Sequence, residues 1–469
     1  MPANVSQHYF SAIELLAQFK SRSLSPFEFM RDTVFRAESL NPSLNAICTP
    51  TYEKALEEAK LAEKRIMRGG DLPPLIGIPT TVKDLALTKG VKTMAGSIVF
   101  KDRVPSIDHL HVSRMRDAGM ISIGKTTTSE FGWSGVSRSP LTGVTHNPWG
   151  HGLNAGASSA GAAVCAAAGI GPIHQGSDGA GSIRMPAAFC GVFGMKPSHG
   201  RVPYFPMPIN GLISHVGPIS RTVSDAALML QAISGPDDRD MTSLSESAPN
   251  FLDNLDVDLS EVKIGFSRNL GYLKLDSEVE KVFESAVSVF SGLCGAVEEV
   301  HLDWGDPAAI QHCLFSVTAA MMYGGYVDSN RDQMDPGLVA LIEHAKQYTA
   351  EDYARAQGER HAYYERVRLY FENYDYLVTP TLSVSAFPVE KLMPEHWEQH
   401  PWDWFSWAGF CYPFNLTWLP AATCPCGFSE NGLPIGLQII SKKNADLAVL
   451  QLAYKFECAL PWKNKTPIP

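Results

Sequence analysis

The chain has 469 residues, and at about 150 residues per domain simple division suggests roughly three domains. Hydrophobic residues make up 45% and charged residues 19%, a soluble globular composition that excludes disordered, collagen-like and coiled-coil chains. With 39 basic against 49 acidic residues the formal net charge is −10, which argues against a nucleic-acid-binding surface.

Residues 1–20 are broken by Asn4, Ser6, Gln7 and His8 and lack the apolar core of a signal peptide. The first predicted elements are helices. One runs over 11–20, with Ile13, Leu15, Leu16 and Phe19 at helical spacing, and one over 25–39 after a cap-like Ser25-Pro26. A third covers 52–68 and ends at Gly69-Gly70. From residue 76 the texture changes. A strand is predicted over 76–82, and the next 120 or so residues alternate short apolar runs with glycine turns, as in an α/β layer. The weakly polar run from Gly161 to Ile173 is too short to cross a bilayer. A strand over 262–266, a helix from Ser277 capped by Asp276 and a return strand over 295–300 form a further unit. Residues 306–373 read as helical and 376–378 as a strand. Asn431-Gly432 signals a hairpin joining 426–428 to 435–440, and a last helix spans 445–459. No internal repeat or low-complexity linker interrupts this order, so three independent domains are not expected.

Gly119-Met-Ile-Ser-Ile-Gly124-Lys125-Thr126 matches the phosphate-loop expression letter for letter, which makes a nucleotide-binding protein the competing class. The mechanism needs a strand before the first glycine and a helix after the lysine. Here the order is reversed: a helical stretch precedes Gly119, 120–123 reads as a buried strand, and Thr127, Thr128 and Ser129 follow as a polar loop. His109 and His111 read as the opening of that helix. The nine cysteines read as free thiols of a reducing, cytoplasmic environment. Cys424 and Cys426 have no second Cys/His pair at zinc spacing, so no metal is expected.

Three segments carry chemistry. Gly77-Ile-Pro-Thr-Thr-Val-Lys83-Asp84 is a strand ending in a lysine. Gly156-Ala-Ser158-Ser159-Ala-Gly161 is a loop opening an alanine-rich helix. Gly176-Ser177-Asp178-Gly179-Ala180-Gly181-Ser182-Ile-Arg184 is a glycine-rich turn delivering one serine. Singly they read as a solvated charge pair, a helix cap and a tight turn. Together, in this order, they resemble the amidase signature family. Ala95-Gly96-Ser97, Ser129-Glu130-Phe131, Asn147-Pro148-Trp149, Lys196-Pro197, Thr379-Pro380-Thr381 and Gly432 to Gln438 extend the resemblance over nearly the whole chain.

The resemblance implies an α/β fold of one domain over 1–469, with a large mixed twisted sheet flanked by helices on both faces. Within it, 1–70 would be N-terminal helices, 75–230 the signature core, and 305–372 and 383–418 a helical and an aromatic-rich pocket wall. The strands near 76–82, 376–382 and 435–440 are expected to share that sheet. The resemblance also implies a Ser-cisSer-Lys triad of Ser182, Ser158 and Lys83, with an oxyanion hole from Gly179, Ala180, Gly181 and Ser182, and with Ser159, Asp178 and Arg184 in support. A serine hydroxyl is a weak nucleophile until a base takes its proton. No histidine adjoins these motifs, so the base falls to a lysine neutralised by burial.

Five of nine tryptophans fall within 397–418, either as core or as an aromatic entrance. The expected substrate contacts are Ser129, Glu130, Phe131, Met321, Met322, Tyr323 and Trp407. Tyr412-Pro-Phe-Asn-Leu-Thr417 resembles the aryl acylamidase and urethanase branch, implying a small amide or carbamate substrate and no cofactor, in a monomer or homodimer. The alternative within the fold is an amidotransferase-type subunit that uses glutamine and acyl-tRNA. Glycines usual in the family are replaced by alanine at 157, 160 and 180, which strains the site only where the backbone needs positive φ.

Overall fold

A computed structural model describes residues 7–206, 211–463 and 465–468; Asn4 and Ser6 lie outside them. Helix α1 (Ala12–Ser21) starts at Ser11, whose side chain accepts from Glu14 N while the Glu14 carboxylate returns to Ser11 N, a reciprocal capping box. Helix α2 (Pro26–Leu44) is capped by Ser25 with proline in its first turn. Strand β1 (Ile47–Pro50) and helix α3 (Tyr52–Arg68) follow. Next come β2 (Pro79–Lys83), α4 (Leu110–Asp117) and β3 (Ile121–Thr126). Two short pairings then fold the chain back, β4 (Arg138–Ser139) with β5 (Gly143–Val144) and β6 (His146–Asn147) with β7 (Gly150–Asn154).

Helix α5 (Ala160–Ala167), β8 (Ile173–Asp178), α6 (Arg184–Cys190), β9 (Phe193–Lys196), β10 (His215–Ser220) and α7 (Val223–Ile233) form the middle of the molecule. The rest comprises β11 (Lys263–Phe266), α8 (Ser277–Phe290), β12 (Ala296–Glu299), α9 (Ala308–Asn330), α10 (Pro336–Ala345), α11 (Ala350–Tyr370), β13 (Tyr376–Pro380), α12 (Pro413–Leu416), β14 (Ala421–Phe428), β15 (Pro434–Ser441) and α13 (Asp446–Ala459). Asp276 precedes α8 as expected but makes no capping bond. Its carboxylate is drawn instead to His396 Nε2 and to Trp397 Nε1.

Eight strands form one mixed sheet in the order β12-β11-β13-β15-β14-β9-β10-β8. β11 runs parallel to β12 and β13, and the other neighbours are antiparallel. Side chains alternate across a strand, so the sheet divides the core. Ile435, Leu437 and Ile439 of β15 pack with α7, α8 and α13, whereas Ile440 joins α9, α10 and the aromatic segment on the opposite face.

One expectation fails. β2 is not in the large sheet with β13 and β15; it belongs to a separate three-stranded sheet, β1-β3-β2. The two sheets adjoin where β2 packs beside β8. There a side chain stands in for a ladder bond, Lys83 N donating to Gln175 Oε1 at 2.9 Å. The phosphate-loop alternative also has no geometry: Gly119 (φ +91) closes α4, and Lys125 lies within β3. Lys125 is fully buried, its Nζ donating to Ala86 O and to Thr88 Oγ1. Among the described residues, no helix is long and apolar enough to cross a membrane.

Candidate active site

Lys83 ends β2 with no exposed surface. Its Nζ lies 2.7 Å from Ser158 Oγ, 2.9 Å from Ser159 Oγ, and 3.1 and 3.2 Å from the hydroxyl and carbonyl oxygens of Ser177. Burial pulls its pKa down to about 7, with the Asp178 carboxylate opposing the shift. Half of such lysines are neutral near pH 7, able to accept a proton from a neighbouring hydroxyl. The Ala157–Ser158 peptide bond is cis.

Ser182 follows β8 on the turn into α6 and keeps 5% of its surface exposed. The serine loops are tied together by Ser159 N donating to Ser182 O at 3.1 Å. Among the described residues no hydrogen bond links the hydroxyls of Ser158 and Ser182. The turn is rigid for two reasons. Gly181 sits at φ +117, and a Cβ there would lie 2.6 Å from that of Cys411. The Asp178 carboxylate also accepts from Gly181 N (2.7 Å) and Ile183 N (3.2 Å). The Gly181 N–H, one of the four expected oxyanion donors, is thus engaged by the Asp178 carboxylate.

Arg184 holds Asp178 in a two-pronged pair, Nε and Nη2 each 2.9 Å from a carboxylate oxygen, with both side chains fully buried. Burial alone would raise the Asp178 pKa, but the guanidinium beside it holds the carboxyl far below the usual range. Arg184 further donates to Cys411 O, Gln438 Oε1 and Asn415 Oδ1 at 2.6–2.8 Å. Asn415 Nδ2 returns to Asp178 O and Oδ1, both at 2.9 Å. The 178–184 turn is thus bolted to α12 and β15. Asn415, Gln175 and Ser177 escaped the sequence reading as site residues, although Asn415 and Ser177 stand inside motifs that it singled out.

The expected substrate contacts separate into four groups. Phe131, in left-handed conformation (φ +50), stacks on Tyr323 of α9 with centroids 3.9 Å apart. Glu130 is buried and accepts from Ser97 Oγ and Asp335 N at 2.6 Å each, while Ser129 Oγ donates to Ser134 O. These two brace loops. Met321 and Met322 are surface residues of α9, Met321 being 69% exposed. Trp407 is a core residue: it is wholly buried, stacks on Phe189 at 5.8 Å and donates to Leu392 O. Trp397, Trp402, Trp404, Phe405, Phe410 and Tyr412 are buried with it. The aromatic segment fills the core beneath the loops.

A family model described as Amidase matches residues 28–450. The chain belongs to the amidase signature family. An acylamidase of Rhodococcus erythropolis is 35% identical, the match covering 98% of this chain and 97% of the relative. A glutamyl-tRNA(Gln) amidotransferase subunit of Dehalococcoides mccartyi is 33% identical over 96% of both chains. The crystal structure of a bacterial aryl acylamidase superposes with a TM-score of 0.90 at 30% identity, covering 97% of each chain. Against the family pattern, the alanines at 157, 160 and 180 stand where glycine is usual. None of the three has positive φ, so each is accommodated without backbone strain.

Proposed function

We propose that this amidase signature enzyme hydrolyses aryl acylamides, and carbamates of the same shape, through an acyl-enzyme on Ser182. The observation that carries the reading is the 2.7 Å contact between the buried, half-neutral Lys83 and Ser158. Ser182 Oγ attacks the amide carbonyl as its proton passes to Ser158 Oγ, whose own proton goes to neutral Lys83 Nζ. The path reverses to protonate the leaving nitrogen, the C–N bond breaks, and water cleaves the resulting ester by the same relay. The Ser158–Ser182 hydrogen bond closes when substrate binds, since such contacts are commonly loose in the free enzyme. The N–H groups of Gly179, Ala180 and Ser182 receive the oxyanion, each donor being worth about 3–4 kcal/mol of barrier.

The aryl preference is supported by the similarity to the acylamidases and by the Phe131–Tyr323 stack. The test is a panel of anilide, carbamate, ester and primary amide substrates, with Ser182→Ala as control. Anilides should turn over fastest and S182A should be inert. Preference for glutamine, or activity only with added partner chains, would instead establish the amidotransferase-type reading.

A further inference from the structure

The segment 129–135 forms an arch beside Ser158. It turns tightly at Phe131 (φ +50) and Gly132 (φ +75). Gly132 comes so close to the serine that a Cβ there would lie 3.1 Å from Ser158 Oγ and 2.9 Å from Leu85 Cδ1. Further along, Gly135 O accepts from Ala157 N at 3.0 Å, one residue before Ser158. The arch thus lies against the hydroxyl that sits 2.7 Å from Lys83 Nζ.

The far side of the arch is held by the Glu130 carboxyl, which is fully buried. Its two oxygens accept from Ser97 Oγ and from Asp335 N, at 2.6 Å each. Ser97 ends the 94–97 loop, in which the Met94 and Gly96 N–H groups donate to the carboxylate of Asp84, the residue after Lys83. Asp335 caps α10, accepting from Gly337 N. One carboxyl so joins the arch to the loop fixed on Asp84 and to a helix start 205 residues further along the chain. A buried carboxyl costs stability that an apolar side chain of similar size does not. What it adds is two directed bonds, and they do not depend on its charge. Burial pushes its pKa up to about 7, with the Asp335 carboxylate nearby, so acid and anion coexist at neutral pH. The anion accepts from both donors; the acid donates to Ser97 Oγ and still accepts from Asp335 N.

Resting on the Ser182–Ser158–Lys83 relay described above, we propose that Glu130 is a positioning residue for the acyl-transfer centre, which holds the arch against Ser158 and keeps water from Lys83. With the arch released, water enters and the burial that disfavours the charged amine weakens. The Asp178 carboxylate, the charged group that faces Lys83, favours the charged form too. The lysine pKa therefore rises, and less neutral base is present at pH 7.

The probe is a fluorophosphonate, whose rate of reaction with Ser182 reads the relay without any choice of amide. Labelling is followed from pH 5 to 9 and located by mass spectrometry. Glu130→Leu should label at least tenfold more slowly at pH 7, with the acid limb of its profile moved up by about half a pH unit or more. Glu130→Gln can accept from Asp335 N and donate to Ser97 Oγ, so it should recover most of the lost rate and the wild-type limb. Asp335 offers a second route that leaves Glu130 in place. Its φ of −60 suits proline, and Met334 before it is extended, at φ −96 and ψ 155. Asp335→Pro deletes both the N–H and the α10 cap, and Asp335→Ala deletes the cap alone, so D335P should label at least fivefold more slowly than D335A. Thermal unfolding confirms that each variant is folded, and the Asp335 pair decides if E130L is not. Wild-type rate in folded E130L, a slower rate with an unmoved limb, no recovery in E130Q, or equal rates in D335P and D335A would each overturn the proposal. A wild-type enzyme left unlabelled at Ser182 would overturn the relay itself, and this proposal with it.

Discussion

Lys83 offers the sharpest quantitative test, because in the proposed relay its protonation state sets the rate of acylation. An ordinary lysine titrates near 10.5, where only about 0.03% is neutral at pH 7. With the pKa pulled to about 7 by burial, about half is neutral at pH 7. The proposed relay works through the free base, so kcat/KM should fall as pH drops through that value. It should reach about a tenth of its plateau at pH 6 and about a hundredth at pH 5. The assay is the initial rate of anilide hydrolysis from pH 5 to 9, since an unsubstituted acyl-anilide does not titrate there. Asp178, the carboxylate that opposes the shift, stays ionised throughout because Arg184 holds it. A profile flat over this range, or one still rising tenfold per unit above pH 9, would refute lysine as the base.

Three further outcomes follow from the geometry. Arg184→Ala leaves the Asp178 carboxylate buried without its partner, a loss of about 3–5 kcal/mol; Tm should fall steeply, and an unchanged Tm would contradict the bolt. Gly181→Ala forces an unfavourable positive φ and a collision with Cys411, at a cost of about 1–3 kcal/mol, so kcat should drop sharply while Lys83→Arg leaves the turn intact by crystallography. Trp407→Ala, in the core beneath Phe189, should cost about 3–5 kcal/mol of stability without changing the anilide KM in the surviving folded enzyme; a raised KM with unchanged Tm would return Trp407 to the pocket.

What could be read from the sequence follows the range of the forces involved. The triad segments are local backbone devices, loops and turns whose residue types are dictated within a few positions, so Lys83, Ser158 and Ser182 stand out. The Asn431-Gly432 hairpin and the Ser11 and Ser25 caps are legible for the same reason. Strand membership is different. β2 carries the same apolar signal as a strand of the large sheet, and only pairing with β3, itself paired to β1, assigns it elsewhere. Asp276 looks like a cap locally but is claimed by His396 and Trp397, 120 and 121 residues away. Trp397, Trp402, Trp404 and Trp407 lack periodicity because they fill an irregular volume, and composition alone does not separate such a core from a pocket wall. Gln175 is invisible for a related reason, since its role exists only where two sheets meet.

The Arg184 network has a consequence in time. Lys83, Ser158, Ser182 and Arg184 leave the ribosome in the first half of the chain, but Asn415 and Gln438 are made more than two hundred residues later. Until they arrive, the Asp178–Arg184 pair lacks the partners that satisfy its remaining donors and acceptors. A nascent chain therefore carries Lys83, Ser158 and Ser182 well before the network that braces the 178–184 turn can be completed. That bracing is whole only once β15 has been made, with little more than the last helix still to come.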